Sequence, residues 1–124
     1  MAICICLYDC HHLNFIWQRD ANEHALRAFG LSTCPPAIVN VTGAEVLAVR
    51  DLSERLGFAL GIDPVFTGEP AATALLNDAS KSHRTFGPPL ASTDEAVAAV
   101  AHWLKAGHAT LGKPTKFEAR DGKF

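Results

Sequence analysis

The most regular pattern of apolar and polar positions lies between residues 36 and 61. The apolar run at 37–41 predicts a short strand, and Thr42 with Gly43 predicts a tight turn after it. Apolar residues then recur at helical spacing, at Val49, Leu52, Leu56, Ala59 and Leu60. Gly61 follows where the end of a helix favours a residue that adopts positive φ. This segment predicts a strand–turn–helix unit, and it contains no group that performs chemistry.

The N-terminal part predicts two further strands and a helix. Residues 3–7 are apolar and β-prone, and residues 13–18 place Phe15 and Trp17 on one face of a second strand. Asp20 is then expected to be the N-cap of a helix over 21–29, with Glu23 three positions further on.

The C-terminal part predicts short strands and two more helices. Residues 63–66 begin with Asp-Pro and are typical of an edge strand, and residues 73–76 predict another short strand. Asn77 or Asp78 is expected to cap a helix that runs to Phe86 and is closed by Gly87.

Residues 92–95, Ser-Thr-Asp-Glu, form a capping box that opens a helix over 93–106. Its expected buried stripe is Val97, Val100, Ala101 and Leu104, with Trp103 beside it. Residues 111–124 are rich in Lys and Gly and show no periodicity, so they predict an extended tail. The chain thus predicts a single small α/β domain (α+β-like) over 1–110, with few short strands and three to four helices.

Length and composition agree with one globular domain. The chain has 124 residues, of which 48% are hydrophobic and 19% charged. Its formal net charge of −2 gives no electrostatic footprint for nucleic acid. No apolar stretch approaches the roughly 20 residues of a membrane span, and no secretory signal is visible. We therefore expect a cytoplasmic protein with neither a nucleic-acid nor a membrane partner.

The four cysteines leave two interpretations open. Cys4, Cys6 and Cys10 are followed by His11 and His12, which is compatible with zinc ligation. A structural zinc site usually needs a second, distant pair of ligands, and the sequence has none. The alternative is a strand with small buried cysteines, and we expect no metal.

Cofactor fingerprints are absent. No two of the nine glycines are two or three positions apart, so a G-x-G-x-x-G loop is excluded. Residues 107–113 match most of a phosphate-binding G-x-x-x-x-G-K loop. However, Pro114 stands where that motif needs Ser or Thr.

Four segments together resemble NAD-dependent epimerase/dehydratase proteins, the extended short-chain dehydrogenase/reductases. NVTGAEVLAVRDL (40–52) is similar to a segment of their C-terminal part, and NFIWQRDA (14–21) to their "DFIYVDDVA" junction. Residues 76–87 and 92–104 resemble the stretches that follow, in the same order. The resemblance implies the C-terminal, substrate-binding lobe of an extended Rossmann-type dehydrogenase, without its nucleotide-binding sheet.

This resemblance also implies what is missing. Family members bind NAD(P) and use a Tyr-x-x-x-Lys pair, whereas the single tyrosine here, Tyr8, is followed four residues later by His12. The resemblance thus predicts a truncated chain with no catalytic residue and no bound cofactor, inactive alone. Its partner would be a separate Rossmann domain. The alternative is a small binding module that self-associates as a dimer or larger homo-oligomer.

Substrate-side positions follow from the same resemblance. They are Trp17 and Gln18 at the end of the second strand, with Asp20 and Asn22 capping the next helix. A core aromatic for Trp17 and a plain N-cap for Asp20 are the structural alternatives. Leu13 occupies the position where sugar-nucleotide enzymes of the family often carry a phosphate-binding Arg. Ala48 replaces the usual Ser or Thr cap of the helix after it.

Overall fold

A computed structural model describes the backbone of residues 3–6 and the complete residues 11–68, 74 and 76–112. Its strands are β1 (Ile3–Cys6), β2 (His12–Leu13), β3 (Leu47–Ala48) and β4 (Pro64–Thr67). Its helices are α1 (Gln18–Ala28), α2 (Val49–Leu60), α3 (Ser80–Phe86) and α4 (Thr93–Lys105), with a 3₁₀ turn at Phe29–Leu31. The predicted class is confirmed: the described residues form a small α/β domain with four helices and few short strands.

The described strands form two separate two-stranded sheets. β1 pairs in parallel with β4, from Ile3 opposite Pro64 to Cys6 opposite Thr67. The strands predicted at 3–7 and 63–66 are therefore present. β2 pairs antiparallel with β3 over two residues only.

The strand predicted at 13–18 is wrong beyond Leu13. Residues 14–17 have no regular structure, and α1 already begins at Gln18. The chain opposite bends at Ala44, so pairing continues only as a hydrogen bond from the Gly43 N–H to the Phe15 carbonyl, 3.0 Å long. An interrupted ladder leaves a predicted strand as an extended segment.

The strand predicted at 37–41 is also wrong, because no described strand lies beside it. Side chains of the α3 region hold this segment instead. Lys81 Nζ donates to the Ile38 carbonyl at 2.8 Å, and His83 Nε2 lies 2.9 Å from the Thr42 carbonyl oxygen. Backbone carbonyls that lack a neighbouring strand still need donors, and these side chains supply them.

The helix predicted after this segment is confirmed. α2 ends at Gly61, which adopts φ 73° and ψ 37° in the left-handed region. α2 packs against α4 and contacts β4, while α1 packs against α3. Residues 36–61 therefore supply helix α2, which contacts α4 and β4, and the short strand β3, but not the strand predicted at 37–41.

The predicted cap of α4 is confirmed, but its predicted buried stripe is confirmed only in part. The Ser92 hydroxyl accepts from the Glu95 N–H, and the Glu95 carboxylate accepts from the Ser92 N–H, which completes the capping box. Ala101 is buried, whereas Val100 and Leu104 each remain 38% exposed and Trp103 50%. Val97 is half-buried, so the predicted stripe is only partly covered.

Several predictions fall outside the described residues. They include two of the four residues of the strand at 73–76, the tail from residue 113 onward, and the side chains of Cys4, Cys6 and Cys10. The division at residue 110 stays a prediction. None of the helices in the described ranges is long and apolar enough to cross a membrane.

Candidate functional site

A depression of about 150 Å³ lies where the start of α1 meets the start of α4. We call it the Trp17 depression. Its walls come from three distant segments, 15–17, 43–45 and 88–96, in the form of Phe15, Ile16, Trp17, Gly43, Ala44, Glu45, Pro88, Pro89, Ala91, Ser92, Thr93 and Ala96. Most of these side chains are apolar, with a few polar groups among them, as in small-molecule sites.

Gly43 fixes the distance between the first two walls. Its N–H donates to the Phe15 carbonyl, and a Cβ built on Gly43 would lie 2.1 Å from that same oxygen. Real Cβ atoms do not approach so closely, so any larger residue must push the segments apart. The sequence needs glycine here for close approach of two backbones, and Gly43 has an ordinary negative-φ conformation.

The polar wall is formed by Glu45 and the first turn of α4. Thr93 Oγ1 donates to Glu45 Oε2 at 2.5 Å, which links the turn at 43–45 to the helix. Both residues line the depression. An ionised carboxylate only accepts hydrogen bonds, so this wall suits a ligand that presents hydroxyl or other donor groups.

Residues 86–91, which we call the proline strap, form the third wall. Helix α1 holds the strap at both ends. Arg27 Nη1 donates to the Phe86 carbonyl at 2.7 Å, and Asp20 Oδ2 accepts from the Ala91 N–H at 2.8 Å. The position of the strap is therefore fixed by two side chains of α1, Arg27 and Asp20.

The four predicted substrate-side residues have separate locations. Trp17 lines the depression, while Gln18 and Asn22 are exposed on α1 and do not line it. Asp20 is buried, with 2% of its surface exposed, and holds the strap. The substrate role of these residues stays a prediction.

The capping role predicted for Asp20 and Asn22 is wrong. α1 begins three residues earlier than expected, its N-cap is Trp17, and no side chain caps it. Asp20 therefore falls in the first turn, on the face that packs against the strap. The sequence does not reveal this shift, because the segment before α1 resembles a strand until tertiary contacts interrupt its ladder.

Glu45, Thr93 and the strap were missed from the sequence. The Pro-Pro pair predicts only a helix terminator, and Ser92–Glu95 predicts only a cap. Glu45 and Thr93 are separated by 48 positions, so nothing in a single sequence pairs them.

Carboxylates occupy the described helix starts. Asp20 lies in the first turn of α1, Asp51 in that of α2, and Asp94 with Glu95 in that of α4. Asp78 Oδ1 accepts from the N–H of Ser80, the first residue of α3. These groups compete with any anion for the positive ends of the helix dipoles.

Hydrogen bonds lower the pKa of two of these carboxyl groups. The Ser92 N–H and hydroxyl hold the pKa of Glu95 below its usual value. The Ser80 N–H and hydroxyl lower the pKa of Asp78 in the same way. In addition, the described residues contain no cluster of three or more His, Cys, Asp or Glu side chains that could hold a metal ion.

The fold is similar to one part of several solved NAD(P)-binding enzymes, among them sugar-nucleotide 4-epimerases, which agrees with the sequence resemblance. No protein-family model matches the sequence, and comparison with curated proteins gives no match either. Several solved structures match, but their sequence identities are low, so these matches support similarity of fold only.

RMD from Pseudomonas aeruginosa, complexed with NADPH, is similar with a TM-score of 0.68 and 18% identity, over 86% of this chain and 36% of RMD. UDP-glucuronic acid 4-epimerase from Bacillus cereus, in complex with NAD, has a TM-score of 0.66 and 16% identity, over 86% and 35%. A UDP-galactose 4-epimerase has a TM-score of 0.54 and 23% identity, over 76% and 33%. The chain spans about a third of the length of the structures it matches.

Proposed function

We propose that this chain forms the substrate-side part of an NAD(P)-dependent epimerase or dehydratase and is inactive without a nucleotide-binding domain. The observation that carries the proposal is the unequal coverage: 86% of this chain matches 36% of RMD. The nucleotide-binding domain would belong to another polypeptide or to a longer form of this one.

The Trp17 depression is the part of the chain that would contact the substrate. Trp17 offers an apolar face, while Glu45 offers a carboxylate and Thr93 the hydroxyl bonded to it, both in the polar wall. This combination suits a neutral, hydroxyl-bearing molecule such as a sugar, because its hydroxyls donate to the carboxylate and its ring packs on the indole. Leu13 occupies the position of the phosphate-binding arginine that the resemblance implies for sugar-nucleotide enzymes, so the depression is proposed to contact the sugar and not a phosphate.

The described residues do not fit a nicotinamide dinucleotide. Its pyrophosphate binds where free backbone N–H groups open a helix and glycines allow close approach. Here the starts of α1, α2 and α4 carry acidic residues, and Asp78 accepts from the first N–H of α3. The cofactor is therefore proposed to bind to the missing domain.

Calorimetry tests the cofactor part of the proposal. NADH and NADPH titrated to about 1 mM into the purified chain are expected to give no saturable heat, which corresponds to binding weaker than about −4 kcal/mol. Micromolar binding of either dinucleotide would contradict the proposal.

Fluorescence tests the substrate part. In a Trp103→Phe background, Trp17 is the only tryptophan, so its emission reports on the depression. Neutral monosaccharides are expected to shift it saturably, and Glu45→Gln to weaken the response several-fold by removing a charged acceptor. Glu54→Gln on exposed α2 is the matched control. Equal binding by both variants would remove Glu45 from the site.

A self-associating module is the second candidate, and the exposed face of α4 favours it. Val100, Trp103 and Leu104 follow one another at i, i+3 and i+4, so they share one side of the helix. Each is at least 38% exposed. Apolar side chains grouped in this way are typical of contact surfaces, and a second copy of the chain would cover them.

A further inference from the structure

A second, smaller cavity of about 70 Å³ lies on the α1 side of the proline strap. We call it the Asp20 cavity. It shares Pro88 and Pro89 with the Trp17 depression but opens between the strap and α1. Its lining residues are Asp20, Glu23, His24, Arg27, Phe86, Pro88, Pro89 and Leu90.

Two buried polar atoms of this cavity have no hydrogen-bond partner within the described part of the chain: Asp20 Oδ1 and His24 Nδ1. Asp20 is 2% exposed and His24 4%. The other carboxylate oxygen of Asp20 accepts from the Ala91 N–H. Unpaired buried polar atoms are costly, so two of them at one cavity call for a ligand.

The two atoms belong to neighbouring turns of α1. Asp20 and His24 are at i and i+4, so their side chains project from the same face of the helix. A single bound group that carries several donors can therefore bridge them. His24 contributes an acceptor at Nδ1 in the tautomer that carries its proton on Nε2.

The charges around the cavity favour a cation. Glu23 and Arg27 compensate each other through a 2.6 Å ion pair, and Arg27 also donates to the Phe86 carbonyl. Among the described residues, the cation paired with Asp20 Oδ1 is the exposed Arg19, whose Nε lies 3.7 Å away, beyond hydrogen-bond distance. Asp20 therefore retains a carboxylate oxygen with a partly compensated charge and no donor.

The remaining walls are apolar. Phe86 packs against the His24 ring with centroids 5.4 Å apart, and two prolines and Leu90 complete the lining. These walls suit a short hydrocarbon group. The volume limits the bound part to a few heavy atoms, since one water molecule occupies about 30 Å³ in the liquid.

We propose that the Asp20 cavity binds a small primary alkylammonium group, which donates to Asp20 Oδ1 and His24 Nδ1 and packs its alkyl part against Phe86 and Leu90. An ammonium supplies three donors and one positive charge, and charge-assisted hydrogen bonds to carboxylates are the stronger class. A metal ion is less well served, because the described residues offer no group of three ligands.

Two-dimensional ¹H–¹⁵N NMR of the full chain tests the proposal with ethylammonium chloride. Three heavy atoms limit the affinity to about the millimolar range. The expected result is a saturable titration in which the Ala91 amide and the His24 ring nitrogens shift most. Tetramethylammonium, which has the charge but no donor, and ethanol, which has one neutral donor, are expected to bind at least about tenfold more weakly.

Two variants separate the site from the fold. In Asp20→Asn the side-chain oxygen still accepts from Ala91, but the free atom becomes a donor, and ethylammonium binding is expected to fall about tenfold or more. Leu90→Trp fills the cavity from an exposed position and leaves both polar residues in place, so it keeps the test valid if the first variant does not fold. Ala25→Ser, at an exposed position of α1 that lines neither cavity, is the control and is expected to bind normally.

Several results would overturn the proposal. They are a titration that does not saturate at about 100 mM, an equal response to tetramethylammonium, unchanged binding in Leu90→Trp, or a zinc ion that binds where the amine does not. None of them bears on the Trp17 depression, so this proposal and the proposed function fail independently.

Discussion

At the scale of single residues, Gly43 lies directly against the backbone of Phe15. A substitution at Gly43 tests whether this close contact holds the walls of the Trp17 depression together. Gly43→Ala introduces a Cβ that would lie 2.1 Å from the Phe15 carbonyl oxygen. Backbone atoms cannot yield as a flexible side chain does, so the free energy of unfolding is expected to fall by about 3 kcal/mol. Urea unfolding followed by circular dichroism measures it.

Gly30→Ala is the matched control for this substitution. A Cβ at Gly30 would meet nothing within 4 Å, and its φ is not positive. The free energy of unfolding is expected to change by less than about 1 kcal/mol, with a gain if the unfolded chain loses entropy. Equal losses in both variants would show that the contact with Phe15 is not the cause.

Residue-level reasoning from the sequence identified Asp20 and Trp17 but assigned Asp20 the wrong role. Asp20 and Glu23 have the same spacing as Ser92 and Glu95, but they match a capping box only approximately because the motif begins with Ser or Thr. Only the second pair forms one. The difference lies in where each helix begins, and that depends on contacts that residue spacing does not encode.

At the scale of elements, the capping box of α4 makes the stability depend on pH. Hydrogen bonds from Ser92 lower the pKa of Glu95 in the folded chain. A carboxyl with a lowered folded pKa stabilises the fold fully above its unfolded pKa, and the contribution is lost as pH falls through the folded value. We expect Glu95→Gln to reduce the loss of stability between about pH 6 and pH 3.

The test is to measure the urea unfolding midpoints of the wild-type chain and of Glu95→Gln between about pH 6 and pH 3. Glu54→Gln, an exposed substitution on α2, is the control and is expected to leave the wild-type pH dependence unchanged. If Glu95→Gln behaves like the control, the box does not contribute to the acid response.

Helix α2 lacks the cap that α4 has. Its N-cap is Ala48, in an extended conformation with φ −68° and ψ 132°, and no side chain bonds to the first turn. Ala48→Ser supplies a hydroxyl acceptor there, so the free energy of unfolding is expected to rise by about 1 kcal/mol. Ala98→Ser, in the exposed middle of α4, is expected to lower it slightly, because Ser is a weaker helix former than Ala.

Thermal and urea unfolding of the two serine variants measure this difference. If the free energy of unfolding rises in both Ala48→Ser and Ala98→Ser, or in neither, the effect does not come from the cap. The absent cap itself was visible in the sequence, because α2 was predicted correctly and its preceding residue could be read directly.

At the scale of the whole molecule, the apolar face of α4 raises the question of what covers it. If copies of the chain associate through Val100, Trp103 and Leu104, then Val100→Asp places a charge in the contact and is expected to shift the chain toward monomer. Multi-angle light scattering across a concentration series measures the change. Ala98→Asp, on the opposite side of the helix, is expected to leave the association unchanged.

A wild-type chain that remains monomeric at about 0.1–1 mM would contradict the self-association candidate. It would leave the substrate-side proposal in place, since a nucleotide-binding domain could cover the same face. If Val100→Asp associates as strongly as the wild-type chain, the contact between copies lies on another surface.

The sequence by itself determined the class of fold, α2 with its Gly61 end, the strands β1 and β4 without their pairing, and the capping box of α4. Each depends on local periodicity or on the chemistry of a helix end, which a single stretch of chain carries in full. It also determined the resemblance to epimerases and dehydratases, because four segments occur in the same order.

Only the tertiary structure decided where the predicted strands stop and what Asp20 does. A strand requires a partner, and the bend at Ala44 and the lack of a described neighbour beside 37–41 remove it. The Trp17 depression joins segments 15–17, 43–45 and 88–96, and the Asp20 cavity appears only once the proline strap crosses α1. These sites are built from distant segments, so long-range packing creates them and local patterns do not.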